Sequence, residues 1–150
     1  MRLLYLITRA EPGGAQVHLL ELLRGFRDRA ELHLGVGEDQ DGFLVEEARA
    51  LGVRVHLLRH LVQPVRPVKD FRGLFEVMAL LRKVRPHLLH AHSSKAGFLG
   101  RLAGRALGVK SVFTAHGWAF TDGVPEGMKR LALSMERLAG RLGDLVLAVS

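Results

Sequence analysis

Short apolar runs alternate along the whole chain with longer segments whose apolar residues recur every three or four positions. Glycine or proline marks most of the change-overs. Arg2 to Thr8, Ala30 to Val36, Val53 to Leu58, Leu88 to Ala91, Val109 to Thr114 and Asp144 to Val149 read as strands. Between them lie helices over Ala15 to Arg27, Phe43 to Leu51, Asp70 to Val84, Lys95 to Leu107 and Met128 to Leu142. In the first helix Leu19, Leu22, Leu23 and Phe26 keep the period of a helix buried along one face. Gly52 and Gly108 stand where a left-handed residue closes a helix. Consecutive parallel strands need a crossover, and every pair here has one or a stretch long enough for one. The expected fold class is α/β, a Rossmann-like doubly wound parallel sheet with helices on both faces. Two stretches stay irregular in this reading: Arg59 to Val68, broken by Pro64 and Pro67, and the loop His116 to Gly127.

The chain has 150 residues, about one domain with a hydrophobic core. It has no cysteine, which excludes disulfides and thiolate chemistry. No apolar run reaches the ~18 residues of a membrane span, and the apolar start, Met1 to Thr8, runs into Gly13-Gly14 without a small-residue cleavage site. A formal charge of +7 predicts a surface that attracts anions. Aromatic residues make up only 6%, and no nucleic-acid-binding module is present, so no nucleic-acid partner is expected.

In an open parallel sheet, ligands gather at the carboxyl ends of the strands, and three polar segments fall there. Gly13 and Gly14 let a backbone approach closely, and the helix behind them offers its N–H groups and positive dipole end to a phosphate or sugar hydroxyl. A tight strand-to-helix turn needs the same residues. The sequence Gly13-Gly14-Ala15-Gln16-Val17-His18 departs from the GxGxxG of dinucleotide enzymes, and no GxxxxGK[ST] is present. This weakens an NAD-dependent oxidoreductase and removes a P-loop ATPase. Glu38 and Asp39 end the second strand, where such an oxidoreductase holds a ribose, although acidic turns are common there.

In His90-Ala91-His92-Ser93-Ser94-Lys95 the two imidazoles share one side of a strand, with His92 read as nearer the solvent edge. No carboxylate or third histidine joins them in sequence, so no metal is expected. Ser93, Ser94 and Lys95 offer hydroxyls, helix N–H groups and a cation to an anion or a sugar; ordinary N-capping uses the same serines. Gly97, Gly100 and Gly104 follow at spacings of three and four and read as close-packing positions. His116, Gly117 and Trp118 come after the fifth strand: a histidine able to donate to a sugar or phosphate, and an apolar wall for an acceptor. A core histidine and a docking tryptophan fit that pattern too. Asp122 and Glu126 lie near, with no spacing that makes either a catalytic base. Lys129, Arg130, Arg137 and Arg141, together with Arg72, Arg82, Lys83 and Arg85, read either as solvated faces or as a surface for an anionic bilayer.

Taken together, these residues resemble the N-terminal domain of a GT-B glycosyltransferase of family 4, in the bacterial branch that builds exopolysaccharide, capsule or O-antigen units. Gly13 to Gln16, His90 to Gly97, Gly100 to Ala103, Thr114 to Phe120 and Leu145 to Ser150 carry the likeness, which covers essentially the whole chain. The resemblance implies residues 1–150 as the acceptor-side half of a two-domain enzyme, whose C-terminal donor-binding domain would follow in the same protein. It implies retaining transfer from a nucleotide-sugar to a saccharide or lipid-linked acceptor, with no cofactor and no metal. His116 would be the catalytic residue beside the transferred sugar. Gly13, Gly14, Gln16, His92, Ser93, Ser94, Lys95, Gly117 and Trp118 would line the substrate and donor-phosphate site. The family's E-x7-E signature belongs to the second domain and has no counterpart here, so these residues alone would be inactive. The expected location is the cytoplasm, at the inner face of the cell membrane. A stand-alone carbohydrate- or lipid-phosphate-binding module, or a subunit of a split transferase, is the non-enzymatic alternative.

Overall fold

In the computed structural model, residues 1–8, 14–37, 42–62, 66–115 and 126–148 are described. Among the described residues, six strands, β1 (Arg2–Ile7), β2 (Glu31–Gly37), β3 (Arg54–Leu58), β4 (Leu88–Ala91), β5 (Ser111–Ala115) and β6 (Leu145–Ala148), alternate with five helices. The helices are α1 (Gly14–Phe26), α2 (Phe43–Ala50), α3 (Pro67–Val84), α4 (Ser94–Leu107) and α5 (Glu126–Leu142). All strand pairs are parallel, in the order β3-β2-β1-β4-β5-β6. This is the expected Rossmann-like arrangement, with the order reversing between β1 and β4.

Strand alternation decides which helix covers which face. Leu3, Tyr5 and Ile7 of β1 join Leu19 and Leu23 of α1 and Leu44 and Ala48 of α2 on one side. Leu4 and Leu6 face the other way, into Val77, Leu81, Leu99 and Ala103 of α3 and α4. Because β1 is buried on both faces, it reads as a continuous apolar run rather than an alternating one.

Most boundaries lie within a residue of expectation, and three differ by more: the last helix begins at Glu126 rather than Met128, and two others have a visible cause. The helix expected from Asp70 begins at Pro67, where proline occupies the first helical position. Its missing N–H costs nothing there and its fixed φ suits the turn, so Pro67 starts the helix instead of extending the irregular stretch. The fifth strand begins at Ser111, because Val109 still closes the end of α4 through its N–H to Gly104 O at 2.8 Å, with Gly108 at φ 71°.

At the amino ends of β2 and β3, His33 Nε2 lies 3.0 Å from Glu31 Oε1, and His33 Nδ1 lies 3.0 Å from His56 Nε2. With the carboxylate ionised and both rings neutral, His33 donates to Glu31 and accepts from His56. Burial, followed by the charges of His33, Lys83 and Arg54, lowers the His56 pKa below its ordinary value. The hydrogen bond from His33 holds the Glu31 carboxyl below its ordinary range. An unfolded chain takes a proton on His56 as pH falls through about 6.5, before the folded chain does. Stability present above that pH is therefore lost as pH falls through the folded value, and Glu31 adds a further loss at lower pH. His56→Gln is expected to flatten the decline in urea midpoint between pH 7 and 5. An unchanged pH slope would remove His56 as its source.

Candidate functional site

β1 and β4 lie side by side where the strand order reverses, and each leads directly into a turn before a helix. Thr8, just past β1, is 1% exposed. Its Oγ1 lies 2.5 Å from Ser93 Oγ, and its N–H donates to the same serine oxygen at 3.2 Å. Ser93 is the N-cap of α4 and also accepts from Ala96 N at 3.4 Å. With two N–H groups directed at its lone pairs, the Ser93 hydroxyl has its proton left for Thr8 Oγ1. This clasp ties β1 to the start of α4 across the switch point.

Lys95 reaches Asp70 in the first turn of α3, Nζ to Oδ1 at 2.5 Å, and both side chains are mostly buried. The expected cation is thus committed to a carboxylate and locks the first turns of α3 and α4 together. Ser94 and Gly14 open their helices at exposed positions. A Cβ at Gly14 would stand in open space, and its φ is not left-handed. Nothing described in the chain therefore demands glycine there. Gln16 is half-buried in the first turn of α1.

His92 departs from its expected place at the solvent edge: it is 1% exposed, whereas His90 is half-buried. The reason is α1, whose His18 packs over the end of β4 with ring centroids 5.9 Å apart. The His90 and His92 rings lie 4.1 Å apart, and Tyr5 packs 5.5 Å from the first and 5.9 Å from the second. His90 Nε2 lies 2.6 Å from Thr114 Oγ1, which fastens β4 to β5. Burial pushes the Tyr5 hydroxyl up to about 12, so it stays protonated. The four rings form a stiff floor under the β4–α4 turn. Gly13, His116, Gly117 and Trp118, with Glu38, Asp39 and Asp122, lie outside the described residues.

The sequence assigns no site role to Thr8, His18 or Asp70, and Thr114 enters it only as the start of the Thr114 to Phe120 segment. Thr8 ends a strand, the position that at β4 drew attention to Ser93. His18 stands four residues after Gly14, the spacing that puts it on the same helix face. Asp70, in the first turn after a proline start, carried a signal hidden by the late helix boundary. Two shallow clefts lie at the amino ends of the strands, one beside Arg27, Glu31 and Arg54, the other beside Gly104, Lys110 and Asp144. Both are at the opposite end of the sheet from the clasp.

A parallel sheet of this order, with two helix starts flanking its switch point, defines the Rossmann-like class of ligand-binding α/β domains. A family model described as Glycosyltransferase Family 4 matches residues 12–150, and the chain belongs to that family. UDP-Gal:alpha-D-GlcNAc-diphosphoundecaprenol alpha-1,3-galactosyltransferase of Escherichia coli is 31% identical over 137 residues, covering 85% of this chain and 35% of that protein. The O-antigen biosynthesis glycosyltransferase WbnH of Escherichia coli is 25% identical over 148 residues, covering 97% and 40%. Among solved structures, Anabaena Alr3699/HepE in complex with UDP and glucose superposes with a TM-score of 0.72 at 22% identity, over 97% of this chain and 37% of that one. Acinetobacter baumannii MurG gives 0.70 at 13% identity, over 99% and 41%. The chain thus spans 35–40% of the length of these curated relatives.

Proposed function

We propose that this chain is the acceptor-side half of a retaining glycosyltransferase that moves a sugar from a nucleotide-sugar to a lipid-linked saccharide. The observation that carries this reading is the family match over residues 12–150 on a domain with two helix starts at its switch point. Its lipid-linked acceptor is suggested by the diphosphoundecaprenol in the name of the 31%-identical relative. The donor-binding domain follows in the complete protein, and residues 1–150 alone do not transfer. The enzyme works in the cytoplasm against the inner face of the membrane, without a metal or other cofactor. Among the described residues no helix is long and apolar enough to cross a bilayer.

In this reading the α1 and α4 starts set oriented N–H dipoles toward the leaving diphosphate, where negative charge grows during transfer. Gly13, Gly14, Gln16 and Ser94 meet substrate or donor phosphate. His92, Ser93 and Lys95 position that rim through the ring floor, the Thr8 clasp and the Asp70 ion pair. His116 is the catalytic residue beside the transferred sugar, and Gly117 and Trp118 shape the acceptor wall. Closure of the second domain excludes water.

The test is transfer by the complete protein from radiolabelled UDP-sugars to an undecaprenyl-diphosphate saccharide. Transfer with retained anomeric configuration is expected, with residues 1–150 inactive. In the complete protein His116→Ala should lower turnover by roughly tenfold or more, with the circular dichroism spectrum unchanged. Activity from residues 1–150 alone would overturn the two-domain reading, and unchanged turnover would remove His116 from the chemistry.

A further inference from the structure

Near its carboxyl end β5 carries one polar residue, Thr114, between Phe113 and Ala115, and it is 1% exposed. Valine would fill the same space with no hydroxyl to satisfy, and a buried hydroxyl left unpaired is costly. Thr114 finds its partner on the neighbouring strand, where His90 Nε2 lies 2.6 Å from its Oγ1. The bond forms whether the ring donates to the oxygen or accepts from the hydroxyl. His90 itself packs against two other rings, Tyr5 at 5.5 Å and His92 at 4.1 Å between centroids. Those neighbours fix the ring that meets Thr114. A buried polar pair of this kind contributes little net stability but selects one arrangement of the groups around it.

Strand register shows what the bond adds. β4 and β5 pair from Leu89 with Ser111 to Ala91 with Phe113. Beyond that point the two strands turn to different partners. His92 N donates to Leu6 O of β1 at 2.9 Å, while Thr114 and Ala115 stay paired with Leu147 and Ala148 of β6. The end of β4 is thus held from one side, by β1 and the Thr8–Ser93 clasp, and the end of β5 from the other. Past Phe113, the bond from His90 to Thr114 links the two strand ends across the rim. Thr114 is also two residues before His116 in the sequence.

We infer that His90 is a positioning residue for sugar transfer: through Thr114 it sets the carboxyl end of β5, and with it the place from which His116 acts. This rests on the reading of His116 as the catalytic residue. It goes beyond the ring floor under the β4–α4 turn, because it ties that floor to β5. His90 touches no reacting atom and acts through Thr114. A misplacement of about 1 Å in a catalytic group can cost about a hundredfold in rate, so loss of the bond reaches turnover before it reaches substrate binding.

Two measurements test this. In the complete protein, Thr114→Val keeps the shape and removes the hydroxyl, and His90→Phe keeps a ring and removes Nε2. Each should lower kcat roughly tenfold or more, with KM for the nucleotide-sugar changed by less than about twofold. Thr114→Ser keeps the hydroxyl and should recover most of the lost turnover. Val112→Ala is the control: Val112 stands opposite His90 in the register and is half-buried on the same face of β5 as Thr114. Its truncation weakens packing without removing the bond and should leave kcat near that of the parent. An equal loss from Val112→Ala, or a Thr114→Ser variant as slow as Thr114→Val, overturns the assignment, since strand packing would then be the cause. Circular dichroism at the assay temperature checks that each variant is folded.

The second measurement needs no transfer. With nitrogen-15 in the histidine rings of this chain, the His116 signal is identified by its loss in His116→Ala. Thr114→Val should move that signal, and Thr114→Ser should keep it near the parent position. A His116 signal unmoved by Thr114→Val overturns the inference even where the transferase reading stands. A signal that moves, in a protein whose turnover His116→Ala leaves intact, overturns the catalytic reading of His116 and keeps the hold of His90 on the end of β5. The two failures are therefore separately visible.

Discussion

Gly37→Ala is expected to cost about 3 kcal/mol or more of unfolding free energy, measured as a lowered urea midpoint. Gly37 ends β2, and a Cβ there would stand 2.0 Å from Leu61 O and 2.5 Å from Thr8 O. Both are backbone atoms, so no side-chain rotation relieves the overlap. Leu61 is fully buried and anchors the segment after β3, while Thr8 is held by Ser93. Relief requires the ends of β1 and β2 and the post-β3 segment to separate. Against this, alanine restricts the unfolded chain and returns only about 0.4–1 kcal/mol, so the clash dominates. The damage falls on the switch-point rim itself, since Thr8 carries both the clash and the clasp. A midpoint within error of the parent would mean that β2 and the post-β3 segment are not in close contact in solution.

The architecture was legible because each strand is short, each helix keeps its period, and glycine or proline divides them. β1 illustrates the limit. Its apolar run identified a buried strand, yet which of Leu3 to Ile7 faces α1 and which faces α3 depends on strand order, a long-range property. The crowding at Gly37 is invisible in sequence, because it comes from Leu61 and Thr8, both distant along the chain. Pro67 reads as a breaker in sequence, because proline at a helix start and proline in a loop look alike until Arg66 and Asp70 are seen to close the first turn.

The site was legible as segments and not as partnerships. The start of α4 falls at Ser94, one residue before the expected Lys95, and Ser93 caps it. What the sequence could not supply is that Ser93, Lys95 and His92 are already occupied, by Thr8, by Asp70 and by a stack of rings. A reactive side chain announces its chemistry from its type, whereas its availability depends on neighbours brought in by the fold. The reading of His92 as nearer solvent failed for this reason: the strand period places it on a face, but α1 determines whether that face is covered. Gly14 is the converse case, since its glycine is not explained by any neighbour described in this chain.

Gly97→Ala is the second large effect, expected to cost about 2–3 kcal/mol. The added Cβ would lie 2.5 Å from Phe113 Cδ1 and 2.6 Å from Cε1. An aromatic ring can sometimes withdraw from such a contact, but this one is confined. Phe113 is 1% exposed, and the Arg101 guanidinium carbon sits 4.3 Å from its centroid. Arg101 Nε in turn donates to Gly97 O at 2.8 Å, so the helix position, the arginine and the ring constrain one another. Gly100 provides an internal comparison, because its Cβ would meet the Leu6 and Leu89 side chains at 3.3 Å and Ala91 Cβ at an ordinary 3.6 Å. Flexible leucine ends can give by a few tenths of an ångström, so Gly100→Ala should cost less than about 1 kcal/mol. Phe113→Leu removes the ring atoms that collide and should partly rescue Gly97→Ala, with a favourable coupling of roughly 1 kcal/mol or more in the double-mutant cycle. Strict additivity would place the cost of Gly97→Ala elsewhere than the ring. Because Ser94 and Lys95 ride on the same turn as Gly97, pushing α4 off the sheet would also displace the rim that the Ser93 clasp holds.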